Sequence, residues 1–506
     1  DLVKYEVGVQ QFNTFVSACL RDGDNCVITY ATPAPVQDNL KERILQVAER
    51  EITHYKEADS LCQLQYKDYQ NTFKGEAGTV ISESHEMITD SKVWKLSNGA
   101  TVVYKRSQAE PNKFTFEAVA KGGTTLMDAN NYSRPYINEI IDILPIGDIP
   151  APQMAVYKKN QKVLLQKRIN FATSTLSGQG YSQNIETFVK MVNSHFVPSV
   201  PDTKGFEKYQ KIKREELENR SSDPDKVFGD SIISLRYHKS SYINTVRASD
   251  LDKIQYKQTL KFINSIFSNA ADYHFIFVGD LDEVLLKDLV CRYIATLPGN
   301  VSGKSNWRNI PVYLKKYNQT KIQEVEDMDS PRSIYNMTIS GASSYTLKGV
   351  VDMSLSSEIL RKRVSRKMNE KGFPIEIETK WVKYPEEFVT LSISSVTKEY
   401  DKEFVKELTS IIDTLKIQGA TPIEIRNAKN SLKESYYQGE RGSNLFWKDI
   451  LVNRFIYGKD FYSRYTYFID NASESDINRT LREYLMNSTT TTLIFKGTND
   501  TNSNSN

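Results

Sequence analysis

Histidine is scarce in this chain. Five occur in 506 residues, His54, His85, His195, His238 and His274, and no two lie close enough to share a helical turn. That excludes a zinc helix of the H-x-x-E-H or H-E-x-x-H kind, in which two imidazoles on one face take the metal and a glutamate sits beside the activated water. Neither spelling occurs. Cysteine is as sparse: Cys19, Cys26, Cys62 and Cys291 include no C-x-x-C pair, so zinc-ribbon and thioredoxin-type readings fall away and the redox compartment stays open. Cys19 and Cys26 either face each other across a turn or remain free buried thiols. No stretch of about 18 apolar residues exists, so nothing is expected to span a membrane. A Gly-rich phosphate loop, a nucleophile elbow and a Cys/His pair in recognisable context are all missing. An excess of one charge is missing too: Lys+Arg 66 against Asp+Glu 63 leaves a net charge of +3, which gives no reason to expect nucleic acid or an anionic membrane as partner.

What is present is ordinary globular composition, 39% hydrophobic and 25% charged. At about 100 to 200 residues per domain the length implies roughly two to four domains. The chain opens on Asp1 without Met or a signal-peptide pattern, which reads as a processed product or a fragment with its targeting segment upstream.

The same local pattern recurs in three places: an Asp-led amphipathic helix, a polar turn, then a short apolar strand. It runs from Asp1 to Val27-Ile28-Thr29-Tyr30, from Asp250 to Phe275-Ile276-Phe277-Val278, and, with a shorter spacing, from Asp476 to Thr492-Leu493-Ile494-Phe495. Recurrence at domain-sized separation implies duplicated domains, because a solenoid would repeat about every 20 to 50 residues. Domain ends are then expected near residues 35, 300 and 500. Residues 1–40 become the tail of a preceding domain, 41–90 a linker, 91–300 and 305–497 two domains, and 498–506 a polar tail with nothing to bury.

Within residues 91–300, Val93-Trp94-Lys95-Leu96 and Thr101-Val102-Val103-Tyr104 flank Asn98-Gly99. That spelling predicts a hairpin with a type I′ turn and positive φ at both central residues. A third strand follows over 113–120, with Phe114, Phe116, Ala118 and Ala120 on one face, and ends at Gly122-Gly123. Helices are expected over 161–170, 185–195 and 206–220. Within residues 305–497 the pattern predicts a strand at 334–339, a helix at 348–371 and a strand at 384–396. Thr421-Pro422 with Glu424 spells a helix start with a capping box. Helices and hairpins interspersed in this way favour an α+β fold over a doubly wound parallel sheet.

Several phrases together resemble the carboxy-terminal half of the pitrilysin and insulin-degrading-enzyme family of zinc metallopeptidases, the inverzincins. They are Trp94-Lys-Leu-Ser-Asn-Gly-Ala-Thr-Val-Val-Tyr-Lys105, Gly122-Gly123, Phe275-Ile-Phe-Val-Gly-Asp-Leu-Asp282, Tyr293-Ile-Ala-Thr-Leu-Pro-Gly299, Ile359-Leu360 with Arg363-Val364, Gly419-Ala-Thr-Pro-Ile-Glu424 and Asn444-Leu-Phe-Trp447. The resemblance covers about residues 1 to 497. It implies tandem homologous processing-peptidase-like domains, each an antiparallel-rich sheet packed against helices. In that family two halves form a clamshell, the amino-terminal half carrying the zinc motif and the other closing over a polypeptide substrate.

Overlaid on the family's zinc helix, Pro135-Tyr136-Ile137-Asn138-Glu139-Ile140 puts Glu139 at the catalytic glutamate and Tyr136 and Ile140 where the histidines belong. One carboxylate does not hold zinc, which takes three protein ligands; Glu139 as a solvated or paired helix residue is the bland alternative. The family's last domain contributes an arginine and a tyrosine near the scissile carbonyl. Here the overlay puts Asn369 at the arginine and Ile375 or Glu376 at the tyrosine, with Arg361 or Arg366 as unaligned substitutes. The basic run Arg361, Lys362, Arg363, Arg366 and Lys367 receives an acidic substrate or a carboxy terminus, or else is a solvated helix face. The 29 tyrosines suit a chamber that grips extended peptides, or are simply core and surface residues. His238, beside Tyr237 and Lys239, reads as a surface histidine.

The expected function is that of a noncatalytic half that closes the chamber and binds polypeptide, with no catalytic or metal residue of its own. Substrate-binding candidates are Asn369, Arg361, Arg363 and Arg366. Zinc is expected in an amino-terminal catalytic half on the same polypeptide or a separate subunit. The alternative is a degenerate pseudopeptidase acting as a peptide-binding or assembly subunit. Neither nucleic acid nor a membrane span is expected, and the family analogy points to a periplasmic or secreted setting.

Overall fold

Two sheets organise the chain. The computed structural model describes residues 75–497 apart from 129, 148, 237–245, 301–318, 326–331, 384–386 and 399–400. Asp1 to Tyr30, three of the cysteines, His54, His238 and the tail 498–506 lie outside the described residues. The described residues belong to one compact unit, Asn71–Asn506. The first sheet holds β1 (Val80–Glu86), β2 (Ser91–Leu96), β3 (Thr101–Arg106), β4 (Lys113–Lys121), β5 (Leu164–Ile169), β6 (Thr173–Tyr181) and β7 (His274–Gly279), in the order β1-β2-β3-β7-β4-β6-β5. The second holds β8 (Gln319–Val325), β9 (Ser333–Ala342), β10 (Glu376–Val382), β11 (Phe388–Thr397) and β12 (Thr489–Gly497), in the order β10-β11-β9-β12-β8.

Read from the opposite end, the second order is β8-β12-β9-β11-β10, which repeats β3-β7-β4-β6-β5 strand for strand. The directions repeat as well, because β3 with β7 and β8 with β12 are parallel while the remaining pairs are antiparallel. The helix-turn-strand pattern falls on equivalent places, its strands being β7 and β12. The α+β reading, antiparallel-rich, holds.

Three local expectations need correction. The β2–β3 hairpin forms, with Trp94 opposite Val102, but only Gly99 has positive φ, at 86°. The Gly99 amide donates to Leu96 O and the Leu96 amide to Ala100 O, both at 2.9 Å, which makes a three-residue loop closed by a left-handed glycine. Asn98 is used otherwise: its side-chain amide donates to Ile294 O and Leu297 O at 2.8 and 2.9 Å and ties the hairpin to a segment about 200 residues on in the chain. The helix expected over 161–170 is strand β5, preceded by a helix over Ala151–Asn160. Val163, Leu165 and Ile169 are buried while Leu164 and Gln166 are exposed, the alternation of a strand. Finally, the sheet starts inside the stretch read as linker, since β1 pairs antiparallel with β2 from Val80 to Glu86. Its residues are mostly exposed, so no apolar alternation announced it.

The described α-helices are α1 (Ile137–Ile143), α2 (Ala151–Asn160), α3 (Ile185–Phe196), α4 (Thr203–Glu218), α5 (Pro224–Arg236), α6 (Tyr256–Ile266), α7 (Glu283–Leu289), α8 (Leu347–Glu370), α9 (Glu403–Gln418), α10 (Pro422–Gly442), α11 (Asn444–Tyr457), α12 (Tyr465–Asn471) and α13 (Glu474–Asn487). On one face of the first sheet Phe114 and Phe116 meet Phe188 of α3 edge-on at 4.8 and 5.2 Å. On the other, Val103, Val119, Ile276 and Val278 pack against Trp447, Leu451 and Ile456 of α11. The second sheet packs Tyr335, Met337, Ile339, Leu391 and Ile393 against α8, itself surrounded by apolar residues of α9, α12 and α13. Its reverse face takes Leu235 of α5, with Phe228 edge-on to Phe495 at 4.8 Å. Each sheet is therefore covered by a helix that lies, in the chain, between the last two strands of the other. The capping box at α10 forms as spelled, Glu424 N donating to Thr421 Oγ1 at 3.3 Å and Thr421 N to the Glu424 carboxylate at 2.9 Å.

Candidate functional site

The position of a zinc helix is reached from β4. Gly122 sits at φ 103° and donates to Ala172 O at 2.8 Å, and the missing side chain of Gly123 leaves room for the Asn170 carbonyl. This turn delivers the chain to α1, where Glu139 accepts from Tyr209 Oη at 2.7 Å and Lys213 Nζ at 3.0 Å, both on α4. Burial and the Glu139 carboxylate push the Tyr209 phenol far up, so it remains a donor. Tyr136 is buried and donates to Arg247 O at 3.2 Å, and Ile140 is buried completely. Glu139 is thus a paired helix residue tying α1 to α4. Among the described residues no group of three His, Cys, Asp or Glu side chains is placed to hold a metal.

His85-Glu86 closes β1 rather than opening a helix. His85 Nε2 lies 2.7 Å from Asp90 Oδ1 at the surface, and Glu86 accepts from the Thr89 amide and hydroxyl and from Arg454 of α11. His195 is buried, its Nδ1 2.7 Å from Met191 O, and its neighbours are lysines.

The substrate-binding candidates lie on the second half of α8, and the structure disperses them. Arg361 is exposed and makes a two-pronged contact with Glu358 at 2.9 Å, while Lys362 reaches the same carboxylate at 3.1 Å. Burial works against the charge on Glu358, but Arg361, Ser431 and Lys362 outweigh it and hold its pKa below the ordinary value. Arg363 points the other way. It is buried, grips both oxygens of Glu424, and donates to Gly419 O at 3.1 Å. Burial again opposes the Glu424 charge. Hydrogen bonds from Arg363 and from the Thr421 amide and hydroxyl overcome it and bring the pKa down to about 2. Arg363 is a clamp between α8 and the start of α10. Arg366 and Asn369 are exposed. At the overlaid tyrosine position, Ile375 packs against the second core and Glu376 begins β10.

Tyrosine hydroxyls in the interior are spent on structure. Tyr104 donates to Leu281 O at 2.6 Å, Tyr436 to Tyr462 O at 3.2 Å and Tyr484 to Ile339 O at 2.9 Å. Burial raises the pKa of all three. These rings are core residues.

Sheet edges remain as places to take up an extended chain. β5 is an edge strand whose outward groups are partly occupied: Leu165 O accepts from Lys158 Nζ at 2.7 Å, and Ile169 trades hydrogen bonds with the Asn138 side chain. β10 and β1 are edges lined mostly by exposed side chains. Unpaired strand backbone is a template for strand addition.

Comparison with known proteins agrees with this architecture. No protein-family model matches the chain. The zinc protease PQQL-like of Arabidopsis thaliana is 22% identical over 204 residues, 40% of this chain and 19% of that protein. The probable zinc protease PqqL of Escherichia coli is 22% identical over 203 residues, 40% of this chain and 22% of that protein. The periplasmic protease PqqL from Escherichia coli superposes with a TM-score of 0.69 at 14% identity, over 97% of this chain and 51% of that one. This is the pitrilysin-type peptidase fold. A peptidase M16 inactive domain from Pseudomonas fluorescens shares the pitrilysin-type fold at TM-score 0.63 and 14% identity, over 81% of this chain and 98% of that one. The first half of PqqL shares it at 0.61 and 10%, over 83% and 93%. The chain therefore spans about half of the whole PqqL chain, and the sequence matches span about a fifth of the curated relatives. No helix among the described residues is long and apolar enough to cross a membrane.

Proposed function

We propose that this chain is the noncatalytic carboxy-terminal half of a zinc metalloendopeptidase of the pitrilysin type. The observation that carries the proposal is the pairing of a pitrilysin-type fold with a sequence in which no two histidines share a helical turn. The half closes a chamber over polypeptide, and an amino-terminal half, on the same polypeptide or a separate subunit, holds the zinc and activates water. Residues 91–300, with β1 added, and 305–497 act as its two domains, residues 1–40 as the end of the preceding one. By analogy with the periplasmic PqqL, the setting is periplasmic.

The substrate meets this half through exposed groups. Arg361, Arg366 and Asn369 on α8 suit polar or acidic stretches, and the β10 edge offers backbone hydrogen bonds with little demand on sequence. Arg363 contributes by fixing α8, since both its partners are internal. A pseudopeptidase that binds peptides without hydrolysis is favoured by one specific observation: the overlay supplies Asn369 in place of an arginine and Ile375 or Glu376 in place of a phenol, so neither a cation nor a phenolic donor meets a developing oxyanion.

Binding of a fluorescein-labelled unfolded polypeptide tests the chamber. Its anisotropy is read with this chain, with the zinc-bearing half, and with both. The proposal expects much tighter binding in the mixture than to either part. Equal affinity with and without this chain would rule out its closing over substrate.

A further inference from the structure

Beside the β5 edge, residues of α1 and α2, with Leu144, Pro145 and Ile146 between them, line an open-sided cavity of about 210 Å³. Its floor is apolar, including Ile141, Leu144, Ile146 and Met154. Lys158, Lys167 and His195 also line it. Lys158 Nζ donates to Leu165 O at 2.7 Å and lies 3.4 Å from His195 Nε2. Because His195 Nδ1 faces the Met191 carbonyl at 2.7 Å, the proton sits on Nδ1 and Nε2 presents a lone pair to Lys158. The Lys167 amine lies 4.6 Å from the Phe267 ring centre and has no hydrogen-bonding acceptor among the described residues. The one carboxylate lining the cavity, Asp142, is taken by both nitrogens of the Arg168 fork at 2.6 and 3.1 Å.

We infer that this cavity is a binding site for a monocarboxylate carrying a short apolar tail, with Lys158 and Lys167 receiving the carboxylate and the apolar floor receiving the tail. Two amines and an imidazole with no free counter-charge form a place that is short of one anion. The floor admits a branched aliphatic group and rejects a polar one, because a buried polar group needs a partner. Charge accounting agrees. Burial, with the repulsion of Lys158, brings Lys167 down to about 7. Burial brings Lys158 to about 8, with Asp142 acting the other way and Arg168 adding to the fall. Burial and the two lysines keep His195 far below the ordinary imidazole range and neutral. An arriving carboxylate restores the charge on Lys167, so at pH 8 binding takes up a proton. This chemistry is offered both by the carboxy terminus of a peptide ending in an aliphatic residue and by a free short-chain acid.

Calorimetric titration of the full chain at pH 8 with N-acetyl-leucine, isovalerate and isovaleramide, each in Tris and in HEPES, tests the inference. The carboxylates should bind, with enthalpies that differ between buffers by up to about one proton's ionisation, and the amide should bind about tenfold more weakly or not at all. Tighter binding of N-acetyl-leucine assigns the site to peptide carboxy termini, and tighter binding of isovalerate to free acids. Lys167→Met and Lys158→Met keep the aliphatic stems and should each lose about tenfold or more, with a thermal melt showing that they fold. If either variant does not fold, the amide and the buffer dependence decide on the unaltered protein. No carboxylate binding at millimolar ligand, equal binding of the amide, or no buffer dependence would overturn the inference. None of these outcomes depends on proteolysis.

Discussion

Arg363 and its near neighbours on α8 show what one residue's surroundings do to its meaning. In the sequence, Arg361, Arg363 and Arg366 are interchangeable members of a basic run. In the structure Arg363 is buried against Glu424, 61 positions away, a pairing that no local pattern announces, whereas the Thr421–Glu424 capping box was legible because both partners lie within one turn. Glu424 has its pKa lowered on folding, so it contributes stability above the unfolded carboxylate pKa near 4.5 and loses it as the pH falls toward about 2. Glu424→Gln should therefore flatten the fall in stability across that window, as read by urea unfolding at stepped pH. Arg363→Met leaves a half-buried carboxylate without its fork and should cost about 3 kcal/mol or more at neutral pH. Lys167 shows the opposite sign. Its pKa is lowered by burial to about 7 from the ordinary lysine value of 10.5, so the unfolded state binds the extra proton between those values and stability rises with pH there. Lys167→Met should remove that rise without weakening the protein at pH 7.

Elements were legible where periodicity was strong. The strands around Gly99, helices α3, α4, α8 and α13, and strands β7, β9 and β12 follow from period-2 or period-3.6 patterns. The pattern over 161–170 reads as a helix because the apolar residues of β5 follow a helix directly, and β1 has no signature because its exposed side chains carry no alternation. Gly99 disfavours a side chain: Gly99→Ala places a Cβ at φ 86° and should cost on the order of 1 kcal/mol, read as a lowered urea midpoint and a fall of about 1 °C in the melting temperature of so large a cooperative unit. What the sequence hid most completely was the destination of α11. Its Asn444-Leu-Phe-Trp447 start was visible, but not that Trp447, Leu451 and Ile456 lie on the first sheet. Nor was the ion pair of Lys448 with Glu117, at 2.7 Å and largely buried. Leu451→Ala empties a position with no solvent exposure and should cost about 2–5 kcal/mol. Faster amide exchange in β3, β4 and β7 than in β9, β11 and β12 would place that loss at the crossed contact.

At the scale of the molecule, one topology is used twice, and the two copies are joined by crossed helices, α5 onto the second sheet and α11 onto the first. Two cores linked by buried apolar contacts and an ion pair favour one cooperative unfolding transition over two. A wall that closes on substrate, the role proposed above, needs no metal ligands of its own, and the sequence has no two histidines that share a helical turn. Cleavage of a quenched fluorescent peptide measures that division of labour, with this chain alone, the zinc-bearing half alone, and both together, each with and without a chelator. The account predicts cleavage that requires both parts and is abolished by the chelator. Chelator-resistant cleavage by this chain alone, or silence in a folded, zinc-loaded, peptide-binding mixture, would contradict it.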